Sequence, residues 1–207
     1  LARERQGKIP AATEAARGAL DARPKFPEAS NLLGVLLSES GRDDESRRLF
    51  EQATQAMPDF VEAWNNLGYL ELNQNHLAAA ERALGRALEL APGYTEALNN
   101  LGILRAYQNQ LDQAQAIFQR VLAAEPGNDK AANNLAVVEV KLGKPEDGRR
   151  ILQSLLERQP DDPSTALNLA RLDLLLGKQD EARRLLEDWL VRHPQDRAAR
   201  GLLDTIR

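Results

Sequence analysis

The chain has 207 residues, a formal net charge of −4 and 43% hydrophobic residues. An acidic balance argues against a nucleic-acid-binding array, which carries a strongly basic face, and the absence of cysteine excludes disulfides, thiolate zinc sites and a cysteine nucleophile. No apolar run approaches the roughly 18 residues that a membrane-spanning helix needs, so we expect no direct membrane insertion.

One pattern repeats every 34 residues along almost the whole chain. Proline recurs in this register at Pro24, Pro58, Pro92, Pro126, Pro160 and Pro194. Small residues recur in two further registers, at Gly34, Gly68, Gly102, Ala136 and Ala170, and at Ser46, Ala80, Ala114, Gly148 and Ala182. A fixed period of this length predicts stacked supersecondary units. Such arrays build extended binding surfaces rather than enclosed catalytic pockets.

Each repeat is predicted to be a pair of antiparallel helices. Apolar residues follow steps of three and four in two stripes, which indicates two amphipathic helices of about 13 residues each. The break between the stripes holds a residue that tolerates the left-handed conformation, and these residues are Gly41, Asn75, Asn109, Gly143 and Gly177. The two registers of small residues predict a close approach of the paired helices.

We therefore predict the following order of elements along the chain. Residues 1–26 form the second helix of a partial repeat, five whole repeats follow, and residues 197–207 form a capping helix or the start of another repeat. The whole repeats are 27–60, 61–94, 95–128, 129–162 and 163–196. Because the chain begins without methionine and has a half repeat at each end, we expect it to be a piece of something longer.

Two repeats carry a recognisable signature. The repeat 61–94 has Trp64, Leu67, Gly68, Ala80, Ala87 and Pro92, and the repeat 95–128 has Leu101, Gly102, Ala114, Phe118 and Pro126. This pattern resembles the tetratricopeptide repeat family. The resemblance implies an all-α fold, a right-handed superhelical solenoid of antiparallel helix hairpins. It also implies that the first helices line a concave groove, which binds protein or peptide.

The expected groove residues occupy one stripe of each first helix. Those predicted to bind a peptide are Glu62, Asn65, Asn66, Tyr69, Asn73, Glu96, Asn99, Asn100, Ile103, Tyr107, Lys130, Asn133, Asn134, Val137, Lys141, Asn168 and Arg171. The same register begins with Glu28, Asn31, Val35 and Glu39 and ends with Leu175. Glutamate marks the early repeats and basic residues mark the later ones, which predicts a partner segment of complementary charge.

Asparagine recurs in two columns of this stripe, although it is a mediocre helix former. The paired asparagines resemble the asparagine ladder of O-linked N-acetylglucosamine transferases, which holds extended polypeptide. A carboxamide both donates and accepts hydrogen bonds, so it pairs with a peptide backbone whatever the sequence. The alternative is that the asparagines of neighbouring hairpins satisfy one another. Under the first hypothesis, replacing Asn66, Asn100 and Asn134 by alanine abolishes partner binding and leaves helicity intact.

Trp189 departs from the repeat, because the equivalent earlier residues are smaller. It is interpreted as a cap over the end of the core, since terminal repeats are atypical. The alternative is an anchor for a partner.

No arrangement of residues predicts catalysis, a metal site or a cofactor. His76 and His193 fall in predicted turns, and the pairs Asp43–Asp44 and Asp161–Asp162 flank helix starts, where carboxylates favour the helix dipole.

The sequence thus predicts a non-catalytic scaffold that binds an extended peptide or a partner helix. Arginine supplies most of the 27 basic residues, which is typical of GC-rich bacteria and favours a role in envelope, secretion or pilus assembly. One alternative is the substrate-recruiting region of an enzyme such as a glycosyltransferase, sulfotransferase or peptidase. Another is self-association through the terminal repeats. Cytoplasmic and periplasmic locations both agree with a cysteine-free chain.

Overall fold

The structure, a computed structural model, describes residues 2–206, and it describes side chains from residue 10 onward. These residues form twelve α-helices and no strand. The helices are α1 Ala2–Ala22, α2 Pro27–Glu39, α3 Asp43–Ala56, α4 Val61–Asn73, α5 Leu77–Leu90, α6 Thr95–Tyr107, α7 Leu111–Ala124, α8 Asp129–Lys141, α9 Pro145–Arg158, α10 Pro163–Leu175, α11 Gln179–Arg192 and α12 Arg197–Leu203. The all-α prediction is confirmed, and the even-numbered helices begin at 27, 61, 95, 129, 163 and 197.

The turn between the two helices of each repeat has the predicted backbone. The φ angle is 72° at Gly41, 59° at Asn75, 58° at Asn109, 76° at Gly143 and 73° at Gly177. A left-handed residue at this position ends a helix, and glycine and asparagine adopt it most readily. Proline lies at the start of three helices. Pro27 and Pro163 open α2 and α10 as predicted, and Pro145 opens α9.

The chain divides into two compact units, of which unit 1 ends at Leu104 and unit 2 begins at Arg105, within α6. The core of unit 1 is built mainly of leucine, alanine and one phenylalanine, Phe50. The core of unit 2 has similar composition and is closed at one end by Trp189. A single hairpin cannot bury its own apolar stripes, so these stripes are buried against the helices of neighbouring hairpins.

The small residues allow the predicted close approach of paired helices. A Cβ atom added to Gly34 would lie 2.7 Å from the Phe50 ring, and one added to Gly148 would lie 2.6 Å from the backbone oxygen of Ala136. The Ser46 hydroxyl also donates a hydrogen bond of 2.7 Å to the Gly34 carbonyl. This bond supplies a partner for a buried hydroxyl in the helix contact.

Consecutive hairpins are also joined by buried polar pairs that the sequence analysis missed. Arg47 of α3 donates to Glu71 of α4 at 2.6 Å, Gln115 of α7 donates to Glu139 of α8 at 2.6 Å, and Arg149 of α9 donates to Asp173 of α10. All three carboxylate residues are buried. The hydrogen bond to Asp173 raises the pKa of Arg149 above its ordinary value, against the opposing effect of burial. Each pair compensates the cost of burying a carboxylate.

Trp189 closes the end of the unit 2 core. Its side chain is 1% exposed and lies in a cluster with Ala199 of α12 and Ile206. The indole N–H donates to Asp196 at 2.8 Å, and Asp196 also caps α12 by accepting from the backbone of Ala198 and Ala199. The capping interpretation is therefore confirmed, because a side chain this buried presents no surface to a partner.

Candidate functional site

The predicted groove residues lie on the even-numbered helices from α2 to α10, and we call this surface the first-helix face. In unit 1 it includes Glu62, Tyr69, Asn73 and Glu96, all exposed, and Tyr69 is 47% exposed. In unit 2 it includes Tyr107, Lys130, Val137, Lys141, Arg171 and Leu175, which are also exposed. Within each unit, side chains of this face therefore remain accessible to another molecule.

Asparagine side chains bond to one another along this face. The Nδ2 atom of Asn66 donates to Oδ1 of Asn31, Asn100 donates to Asn65 and Asn168 donates to Asn133, each at 2.9 Å. Each bond joins the first helices of consecutive repeats. The mutual hydrogen bonding considered as the alternative is thus present in these three pairs.

The pairing leaves hydrogen-bonding capacity on the more exposed asparagines. A carboxamide has two N–H donors and an oxygen with two lone pairs, and each pair uses one donor and one acceptor. Asn65, Asn99 and Asn100 are buried, at 7–8% exposure. Asn31, Asn66, Asn133, Asn134 and Asn168 are half-buried. The buried asparagines lie between neighbouring helices. Asn66 and Asn168 each use one N–H in the bond to Asn31 or Asn133, which leaves the amide oxygen and the second N–H outside that bond.

The formal charge of the face differs between the units. Unit 1 contributes Glu28, Glu39, Glu62 and Glu96, and unit 2 contributes Lys130, Lys141 and Arg171. Within the described residues none of these side chains forms a salt bridge. The charges of this face are therefore not paired within the described part of the chain.

The pKa of Tyr94 is affected by acidic side chains of unit 1. This residue precedes α6 and packs against the core cluster that contains Leu84 and Leu104. Burial, together with the carboxylates of Glu96 and Glu62, raises the pKa of Tyr94 to about 12. Two glutamates of consecutive repeats thus act on one hydroxyl.

Unit 2 has an apolar pocket of about 270 Å³ on its first-helix face. Its aliphatic walls are Ala136, Val137, Val140, Leu152, Leu172 and Leu175. Lys141, Asn168 and Arg171 supply the polar part of the lining. The sequence register had placed Val137, Lys141, Asn168 and Arg171 on one stripe, but it did not indicate the contribution of Leu152 from α9.

The described residues contain no group of histidine, cysteine, aspartate or glutamate arranged to hold a metal ion. His76 contacts Glu71 at 2.7 Å and His193 stacks on Trp189, so both histidines contact structural neighbours. Asp162 accepts from the Thr165 amide and caps α10, as predicted. In the described part of the chain, no helix has both the length and the hydropathy of a membrane span.

Two protein-family models match the chain, and both have the same description. A family model described as tetratricopeptide repeat matches residues 5–68, 105–166 and 153–206, and a second model of that description matches 61–94. None of the curated proteins matches the chain.

Several solved structures share the fold. PilW, described as a widely conserved type IV pilus biogenesis factor, is 24% identical with a TM-score of 0.85, and the match covers 97% of this chain and 93% of PilW. A thermophilic protein of this repeat class from Thermus thermophilus is 23% identical with a TM-score of 0.76, covering 87% and 98%. YrrB, described as having an unusual peptide-binding site, is 14% identical with a TM-score of 0.62, covering 91% and 97%.

Proposed function

The chain belongs to the tetratricopeptide repeat family, and from that premise we propose that it is a non-catalytic scaffold that holds a partner protein on its first-helix face. The bound element is an extended segment or a helix of the partner. Members of this family are repeat scaffolds that bind proteins or peptides, and YrrB is described as a peptide-binding example.

The observation that carries the proposal is the row of half-buried asparagines beside exposed side chains. Asn66 and Asn168 each retain a carboxamide oxygen and an N–H group outside the bonds to Asn31 and Asn133. An extended peptide offers alternating N–H and C=O groups, which such carboxamides match without regard to sequence. At a net ~1 kcal/mol for each hydrogen bond, and after ordering costs, we expect affinities on the order of micromolar.

The finer part of the proposal is a role in assembling a larger bacterial complex, such as an envelope, secretion or pilus apparatus. The fold likeness to the pilus biogenesis factor PilW agrees with this role. At this level of identity the likeness concerns the fold, so the assembly role rests on the expected scaffold function.

The test is a selection of peptides from a random library on the immobilised chain, followed by titration of one selected peptide against variants. Asn66→Ala is expected to weaken by about tenfold the binding of a peptide held on unit 1, and Asn168→Ala that of a peptide held on unit 2, because each variant loses one or two hydrogen bonds to the peptide. Gln55→Ala is the control and is expected to bind like the wild type, since Gln55 is exposed on α3 and lies off the face. Circular dichroism of each variant verifies that helicity is intact.

Unchanged affinity in both asparagine variants would remove the asparagines from the binding surface. The alternative of mutual bonding alone would then describe their whole role. An equal loss of affinity in Gln55→Ala and in the asparagine variants would show that the loss does not come from contacts of the asparagines with the peptide.

A further inference from the structure

The pocket of unit 2 is an apolar depression on its first-helix face. Val137 is 42% exposed and Leu175 is 70% exposed, so its wall includes large aliphatic side chains that face solvent. Leu152 and Leu172 are buried and form part of the lining. These side chains offer apolar surface that an apolar group of another molecule can cover.

The pocket has a volume of about 270 Å³, which is large enough for one large apolar side chain. A cavity of about 150 Å³ accommodates benzene. A leucine or phenylalanine side chain, entering from solvent while its backbone stays outside, therefore matches this depression.

Lys141 and Arg171 add positive charge at the same place, and neither has a salt-bridge partner among the residues that the structure describes. Other basic residues of unit 2 are paired, for example Lys178 with Glu146 at 2.8 Å and Arg158 with Asp129 at 2.8 Å. Two unpaired cations beside an apolar depression favour a ligand whose apolar group is flanked by carboxylates.

The asparagine pair at the pocket supplies the backbone contacts. Asn168 lines the pocket and donates to Asn133, which leaves the Asn168 oxygen without a partner in the described structure. That oxygen accepts a hydrogen bond from a peptide N–H, and the second N–H of the same carboxamide donates to a peptide carbonyl. The backbone of a residue whose side chain enters the pocket therefore lies next to the carboxamide of Asn168, which can bond to it.

We propose that this pocket binds a leucine or phenylalanine of an acidic partner segment, whose neighbouring carboxylates pair with Lys141 and Arg171. In an extended segment, residues two apart face the same side. The recognised pattern is therefore an apolar residue with acidic residues two positions before and after it. This inference rests on the proposed function and names the partner chemistry for unit 2.

The probe is a fluorescein-labelled peptide with the core Glu-Ser-Phe-Ser-Glu between Gly-Ser flanks, titrated by fluorescence anisotropy with the full 207-residue chain. A peptide with alanine for phenylalanine tests the pocket, and a peptide with lysine for both glutamates tests the charge. Each is expected to bind at least about tenfold more weakly than the probe.

Variants of the chain test the same contacts from the other side. Lys141→Glu and Arg171→Glu are each expected to weaken probe binding by about tenfold, and the double variant is expected to prefer the lysine peptide. Leu175→Asp weakens binding by a similar factor because it places a carboxylate on the apolar wall. Arg150→Glu is the matched control, since Arg150 is exposed on α9 and does not line this pocket.

The outcomes separate this inference from the proposed function. If the probe binds equally to wild type, Lys141→Glu and Arg171→Glu, or fails to bind, the inference is wrong. If the probe binds Arg171→Glu and Leu175→Asp as well as wild type while a library-selected peptide depends on Asn66, the inference is wrong and the proposed function stands. Loss of probe binding in the pocket variants together with the charge-swap preference supports the inference.

Discussion

The two units present the same face with opposite chemistry. Unit 1 places glutamates on its first-helix face, whereas unit 2 places lysine, arginine and exposed aliphatic side chains in the same register, and each unit exposes one tyrosine there. Both units keep the asparagine pairs, with the same bond length of 2.9 Å. The two units therefore share the asparagine pairs of the repeat and differ in the side chains at its exposed positions.

The units also differ in how their hairpins are held together. In unit 1 the buried Glu71 contacts both Arg47 and His76, whereas in unit 2 the buried Asp173 depends on Arg149. The glycine at the helix contact is on the first helix in unit 1, at Gly34 and Gly68, and on the second helix at Gly148 in unit 2. Equivalent packing is thus reached through different residues, which mutations can distinguish.

The largest expected difference comes from the buried ion pairs. Arg149→Ala leaves the Asp173 side chain, which is 3% exposed, without its cation and is expected to cost about 3–5 kcal/mol. Arg47→Ala leaves Glu71 with its contact to His76 and is expected to cost about 1–3 kcal/mol. Urea unfolding followed by circular dichroism measures both. A smaller cost for Arg149→Ala than for Arg47→Ala would contradict this comparison.

The next difference concerns glycine. The Cβ of Gly148→Ala meets the backbone oxygen of Ala136 at 2.6 Å, whereas that of Gly68→Ala meets side-chain atoms of Leu84 at 2.6 and 2.7 Å and the Leu84 backbone nitrogen at 3.2 Å. Backbone yields less than a side chain, so we expect a loss of about 2 kcal/mol for Gly148→Ala and about 1 kcal/mol for Gly68→Ala.

Gly85→Ala is the control for this pair. Its Cβ meets nothing within 4 Å, so the better helix propensity of alanine is expected to stabilise the protein by about 0.5–1 kcal/mol. Equal effects of all three substitutions in the same urea experiment would show that helix packing does not require these glycines.

A pH dependence in unit 1 is expected to give an effect similar in size to that of Gly68→Ala. The pKa of Tyr94 in the folded chain, about 12, lies above its ordinary value of 10.0. As the pH rises, the unfolded chain loses this proton first, so the contribution is complete below pH 10 and is lost toward pH 12. Because Tyr94 is partly exposed, we expect about 1 kcal/mol after solvent screening. Tyr94→Phe should flatten the fall in stability across this window, and an unchanged slope would contradict the assignment.

The sequence predicted those features whose causes are local. Glycine and asparagine in the turns, proline at helix starts and the period of the apolar stripes each act within a few residues, and the structure agrees with them. Trp189 was predicted as a cap because its size departs from the repeat.

Features that depend on contacts between hairpins were less accessible. The mutual hydrogen bonds of the asparagines depend on the positions of neighbouring helices. Glu71 and Asp173 are of residue types that usually lie on the surface, and only their shared register with Glu139 offered a signal for the buried pairs. The pocket depends on Leu152, which comes from the second helix of the hairpin and lies outside the stripe from which the face was predicted.

The central claim is that the first-helix face holds a partner segment, and photo-crosslinking tests it most directly. Benzoylphenylalanine would replace Tyr69 in unit 1, Val137 in unit 2 and, as the control, Val191, which is 81% exposed on α11. With a library-selected peptide, the account predicts crosslinks from position 69 or 137 and none from 191. A bound peptide that crosslinks at 191 and at neither position of the face would contradict it.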